Sequence, residues 1–177
     1  TELNQLLSKP GASKAALAEA YGRMGALYQV YNVSIPAETC YTNARSLAPS
    51  IFRWAYYAAW LAQQTGRPSI ALQHFKEAQK LQPDYAPLAL RIAQSQLDLG
   101  QLKEARLSLK TALTSPELRA AALGYNGQID LLEREYGKAI KQFKAALALD
   151  PKANKLHFFL AQAERANGNM ERARKHL

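Results

Sequence analysis

The sequence is poor in the residues that build chemical sites. Cys40 is the only cysteine among 177 residues, so no disulfide can form within the chain. It sits beside Tyr41 on the apolar side of an expected helix and reads as a buried structural thiol. His74, His157 and His176 are far apart in sequence, and no Cys or His spacing of a metal-site kind occurs. No metal and no cofactor are therefore expected. Gly22-Arg23-Met24-Gly25 lies inside a helical pattern without the strand that phosphate loops follow, and charge runs such as Glu133-Arg134-Glu135 read as solvated helix surface. An enzyme is not expected. No apolar run approaches the roughly 18 residues of a membrane helix. The opening Thr1-Glu2-Leu3-Asn4 lacks the basic start and apolar run of a secretory signal, and it also lacks a methionine. The expectation is a soluble protein, cytoplasmic or periplasmic. Acids are scarce as well: 14 Asp and Glu face 23 Lys and Arg, a net charge of +9. The excess gathers between Lys138 and Lys175, which would attract nucleic acid, an anionic membrane surface or an acidic protein, or form a plain solvated basic face.

What the sequence does contain is a pattern that returns every 34 residues. Ala44, Ala78 and Ala146 lie five positions before Pro49, Pro83 and Pro151. Tyr41, Phe75 and Phe143 come three residues before those alanines, and Ala37, Ala71 and Ala139 four residues earlier still. Another copy carries Ala105, Leu109 and Ala112, and the last restarts at Ala173. Self-similarity at this period marks stacked helical hairpins. The expected fold is all-α, an α-solenoid of antiparallel helix pairs in about five repeats, the last incomplete. An N-terminal extension over 1–17 precedes repeats at 18–51, 52–85, 86–119, 120–153 and 154–177, in one continuous domain. Leu3 to Leu7 reads as a short helix, interrupted by Pro10-Gly11, and Ser13 as the cap of the next. Turns between helix A and helix B are expected at Asn32 to Pro36, Gly66 to Pro68, Gly100-Gln101, Glu135 to Gly137 and Gly168-Asn169. The closing prolines should stop each helix B and can open the next helix A, with Ser115 and Asp150 as N-caps.

The small and large positions have a packing reason. Where helix A crosses helix B, a side chain larger than methyl would hold the backbones apart, and the ring nearby fills the hollow between hairpins. Here the chain resembles the tetratricopeptide repeat family, which has the same period and the same small and large columns. The first repeat matches most fully, through Tyr21, Met24, Gly25, Tyr28, Ala37, Tyr41, Ala44 and Pro49. The fourth departs at Asn126 and Asp130. The resemblance implies a right-handed stack whose helix A faces line a concave ligand groove. Some family members grip the C-terminal carboxylate of heat-shock chaperones with lysines, asparagines and an arginine. In this chain only Arg91 falls on those columns; Ala26, Tyr57 and Pro87 occupy the others, so that ligand is not expected.

Residue geometry gives the orientation of the second helix A. At 100° per residue, Ala55, Ala58, Ala59 and Ala62 share one side. Arg53, Tyr56, Tyr57, Trp60, Gln63 and Gln64 share the opposite side, while Trp54 and Leu61 fall between and should pack between repeats. The same offsets give Arg23, Ala26 and Gln29 in the first repeat, and Leu90, Arg91 and Gln94 in the third. They give Tyr125 and Gln128 in the fourth, and Lys155, Phe158, Phe159 and Gln162 in the fifth. Aromatic and arginine side chains supply much of the energy of protein interfaces, and glutamines can bond an extended backbone. The expected function is a non-catalytic adaptor that holds an acidic or aromatic peptide segment of a partner protein. The alternative is a structural or self-assembling piece of a longer repeat protein, possible as a homo-oligomer. Nucleic-acid binding through the basic repeats ranks third, since no nucleic-acid motif accompanies them.

Overall fold

The computed structural model describes Gln5 and residues 11–176. Apart from Gln5, the helix expected over Leu3 to Leu7 lies outside the described residues, as does Leu177. Ten helices follow in order among the described residues, joined as consecutive packed pairs. They are α1 (Lys14–Val30), α2 (Ser34–Leu47), α3 (Phe52–Gln64), α4 (Pro68–Leu81), α5 (Pro87–Asp98), α6 (Leu102–Thr114), α7 (Arg119–Leu132), α8 (Tyr136–Leu149), α9 (Asn154–Ala166) and α10 (Met170–Arg174). There is no strand among them, and none is long and apolar enough to cross a membrane. The chain divides into two compact units, Thr1–Tyr85 with α1 to α4 and Ala86–Leu177 with α5 to α10. Within each, a hairpin packs its helix A on its own helix B, and its helix B on the next helix A.

One backbone device repeats at every turn from helix A to helix B. Asn32, Gly66, Gly100, Arg134 and Gly168, spaced 34 apart, all have positive φ. Just beyond each, the N–H of Val33, Arg67, Gln101, Glu135 and Asn169 bonds the carbonyl five residues back, at 2.8 or 2.9 Å. This left-handed closure satisfies carbonyls that the helix end leaves open. Two turns achieve it without glycine. In the fourth hairpin the left-handed residue is Arg134, and Gly137, expected in the turn, lies inside α8. Glu133-Arg134-Glu135 is accordingly exposed turn rather than helix surface.

The helix starts follow expectation at Ser13 and depart from it at Ser115 and Asp150. Ser13 caps α1, its Oγ accepting from the Ala16 N–H at 3.1 Å. Ser115 ends α6 instead of capping α7, which starts at Arg119 after a turn through Pro116. Asp150 ends α8, and its carboxylate accepts from the Lys152 N–H at 3.2 Å. Pro49, Pro83, Pro116 and Pro151 all lie in connections between helices, whereas Pro68 and Pro87 occupy first turns. A residue before proline is pushed out of the helical region, so these prolines end helices more readily than they begin them.

The repeating alanines form the core. Ala37, Ala71, Ala105 and Ala139, with Ala44, Ala78, Ala112 and Ala146, have no solvent exposure. Tyr41, Phe75, Leu109 and Phe143 are buried with them, and the rings of Tyr41 and Phe143 press on Gly25 and Gly127 of helix A. A methyl group built on Gly127 would stand 2.6 Å from the Phe143 ring, too close without a shift. Cys40 is a free, buried thiol, and burial pushes its pKa up.

Candidate peptide-binding faces

In the first unit the methyl side of α3 is buried at Ala55, Ala59 and Ala62. Trp54 and Leu61 are buried between hairpins, Trp54 over Gly22 of α1 and Leu61 against Ala37 and Tyr41 of α2. The three rings of the opposite stripe then separate. Tyr57 is half-buried, its ring centroid 5.9 Å from that of Tyr41 and 6.3 Å from that of Trp54. Tyr56 is half-buried among Phe52, Phe75 and Tyr85, at centroid distances of 5.6, 5.9 and 6.1 Å. Trp60 reaches solvent, with 36 % of its surface exposed. The period carried a signal for this split. Tyr56 stands in register with Gly22 and Gly124, the positions on which Trp54 and Leu156 of the following helix A rest. It is a packing column.

The polar members of this face bond one another. Gln29 donates to Gln64 at 2.6 Å and accepts from the Tyr41 hydroxyl at 2.7 Å, joining three helices. Arg23, 3.1 Å from Glu19, and Arg53 converge on that one carboxylate. The Arg53 guanidinium also lies 4.3 Å from the Trp54 ring centre. Gln63 is half-buried.

In the second unit, residues from α7 and α9 meet. Tyr125, Gln128, Lys155 and Phe159 line one cleft of about 220 Å³, floored by Gly124 and Leu156. Phe159 stacks on the core ring of Phe143 at 5.8 Å, and the Lys155 ammonium lies 5.8 Å from the Phe159 ring centre. Burial raises the pKa of the Tyr125 phenol, while neighbouring Arg91 lowers it and Asp98 raises it. Asp98 accepts a 2.8 Å hydrogen bond from Gln94. Phe158 and Gln162 are not in that cleft. With Ala161, Arg165 and Ala173 they line another, of about 210 Å³, between α9 and α10.

One pairing runs against the sequence reading. His157 and His176, 19 positions apart in sequence and given no shared site by the sequence reading, lie with their Nδ1 atoms 3.4 Å from each other. The chain returns through α10 to the start of α9, a reversal that linear spacing conceals. His74 sits elsewhere, 3.3 Å from both Arg45 and Glu77.

Tetratricopeptide repeat models match residues 62–122 and 127–177. No similar sequence was found among curated proteins. Among solved structures, a tetratricopeptide repeat protein from Parabacteroides merdae ATCC 43184 superposes with a TM-score of 0.85 at 15 % identity, covering 98 % of this chain and 66 % of that one. MamA from Desulfovibrio magneticus RS-1 gives 0.79 at 19 % identity, covering 90 % of each chain. YrrB, described as a TPR protein with an unusual peptide-binding site, gives 0.72 at 19 % identity, covering 98 % of this chain and 88 % of that one. These likenesses are of fold. Two matching repeat models, a left-handed turn every 34 residues and helices packed as successive hairpins make this chain a member of the tetratricopeptide repeat family.

Proposed function

We propose that the chain is a non-catalytic scaffold that takes up an extended peptide segment of a partner protein on its helix A faces. The observation that carries the reading is the α7–α9 cleft, where two helices contribute aromatic walls, an amide and an ammonium group. Phe159 offers an apolar wall, Gln128 can bond a peptide backbone in either sense, and Lys155 favours a carboxylate. An acidic segment with an aromatic residue fits that chemistry. In the first unit, Trp60 is the side chain best suited to make contact, because Tyr56 and Tyr57 are engaged in packing. Selection from a displayed random-peptide library tests the reading. Recovered peptides should be acidic and aromatic, and Lys155→Glu should weaken them at least tenfold while Lys110→Glu on α6 does not. Peptides that bind both variants equally would overturn it.

Self-assembly is the second reading, favoured by Phe158. It stands in register with Gly124, whose surface the next helix A covers, yet 51 % of Phe158 is exposed. Sedimentation should then reveal a concentration-dependent oligomer that Phe158→Glu dissolves, whereas a monomer at all concentrations excludes this reading.

A further inference from the structure

His157 lies in the first turn of α9 and His176 follows α10, and both rings are half-buried. Their centroids are 5.6 Å apart but their Nδ1 atoms only 3.4 Å, so the Nδ1 edges face one another. A good N–H hydrogen bond spans about 2.7–3.2 Å, which makes this separation long for a shared proton. Two nitrogens bound to a tetrahedral ion at about 2.0–2.1 Å stand about 3.3–3.4 Å apart. The gap has the width of a shared ion.

The surroundings of His157 set its tautomer. Its Nε2 is 3.2 Å from the Pro151 carbonyl oxygen, which can only accept, so the ring proton belongs on Nε2 and the lone pair on Nδ1. An outer N–H bonded to a carbonyl is how metal-binding histidines are held in orientation. We propose that His157 and His176 form a two-histidine site for a divalent transition metal, Cu²⁺, Ni²⁺ or Zn²⁺. Imidazole suits these ions, and the general affinity order puts Cu²⁺ first. Mg²⁺ and Ca²⁺ require oxygen donors, which the two imidazoles do not supply. No group of three His, Cys, Asp or Glu side chains gathers among the described residues, so water completes the coordination and the ion exchanges readily. Bound metal would tie the segment after α10 to the first turn of α9.

Calorimetric titration of the whole chain, free of any affinity tag, with Cu²⁺, Ni²⁺ and Zn²⁺ tests this. One ion per chain should bind, most tightly Cu²⁺, with two nitrogen ligands in the copper electron-resonance spectrum. His157→Ala and His176→Gln should each weaken Cu²⁺ at least tenfold, and His74→Ala should leave it unchanged. His176 follows α10 and is not part of α9, so His176→Gln removes a ligand while leaving the α9 sequence intact. Absence of saturable binding by all three ions, or Cu²⁺ affinity unaltered in His176→Gln, would overturn the site.

Discussion

The two units solve the same packing problem with different materials. Eleven of the sixteen aromatic residues precede Ala86, and in the first unit they meet ring to ring between helices, as Tyr41 with Tyr57 and Tyr56 with Phe75. The second unit instead buries a polar column. Gln96, Asp130 and Glu164, spaced 34 apart, are 5 %, 2 % and 0 % exposed. Each meets helix B of its own or a neighbouring hairpin. Ser108 donates to Gln96 at 2.8 Å, Arg106 to Asp130 at 2.6 Å, and Lys144 lies 3.0 Å from Glu164, which also accepts from Asn169 at 2.8 Å. In the first unit Tyr28 and Ala62 occupy that column. Rings tolerate many arrangements, because apolar burial is non-directional. Buried carboxylates tolerate few, because each needs its partner in place. One repeat pattern therefore accommodates both an adaptable core and an exacting one.

Moving the polar column into the first unit should break this division most severely. Ala62→Glu would bury a carboxylate without a provided base and cost roughly 4 kcal/mol or more, read by chemical denaturation. A loss below 1 kcal/mol would mean that the first unit can also supply a partner. Within the aromatic unit, Tyr57→Ala should cost about 2–3 kcal/mol through lost packing, and Trp60→Ala less than about 1 kcal/mol. Equal losses would erase the distinction between packing ring and exposed ring.

Acid separates the units by pH window. Burial first, then the Arg45 charge, lowers the pKa of His74 against the pull of Glu77. Its neutral form stabilises the fold above its ordinary value of about 6.5, and this contribution is lost as pH falls through that region. Burial pushes the Glu164 carboxyl up, but the bonds from Lys144 and Asn169 outweigh it and leave the pKa lowered. Its contribution is present above about 4.3 and disappears as pH falls further. Hydrogen exchange should accordingly record loosening of α4 in milder acid than that of α9, with His74→Asn removing the first effect and Glu164→Gln the second. Simultaneous loosening of both helices would contradict the assignment. At the turns the expected effect has the opposite sign: Arg134→Gly should raise stability by about 1 kcal/mol in chemical denaturation, because glycine adopts positive φ without steric penalty.

The 34-residue period made the hairpins, the buried alanines and the Tyr41, Phe75, Leu109 and Phe143 column legible, because each depends on neighbours within the same hairpin. The candidate cleft was legible in part. Tyr125, Gln128, Lys155 and Phe159 share a cleft as their offsets suggested, yet the same offsets grouped Phe158 with them, and it lines a different one. A helical wheel orders side chains around an axis but does not include the following helix, which covers the Gly22 and Gly124 register.

By itself, the sequence determined what the helix period can encode: where small and large residues recur and which repeat each belongs to. Asp130 was visible as a departure from the pattern, but its partner Arg106 lies 24 residues away on another hairpin. His157 and His176 meet only because the chain folds back through α10. Tertiary structure decided which polar groups are paired and which rings face water, since those outcomes depend on the distance between atoms of different helices.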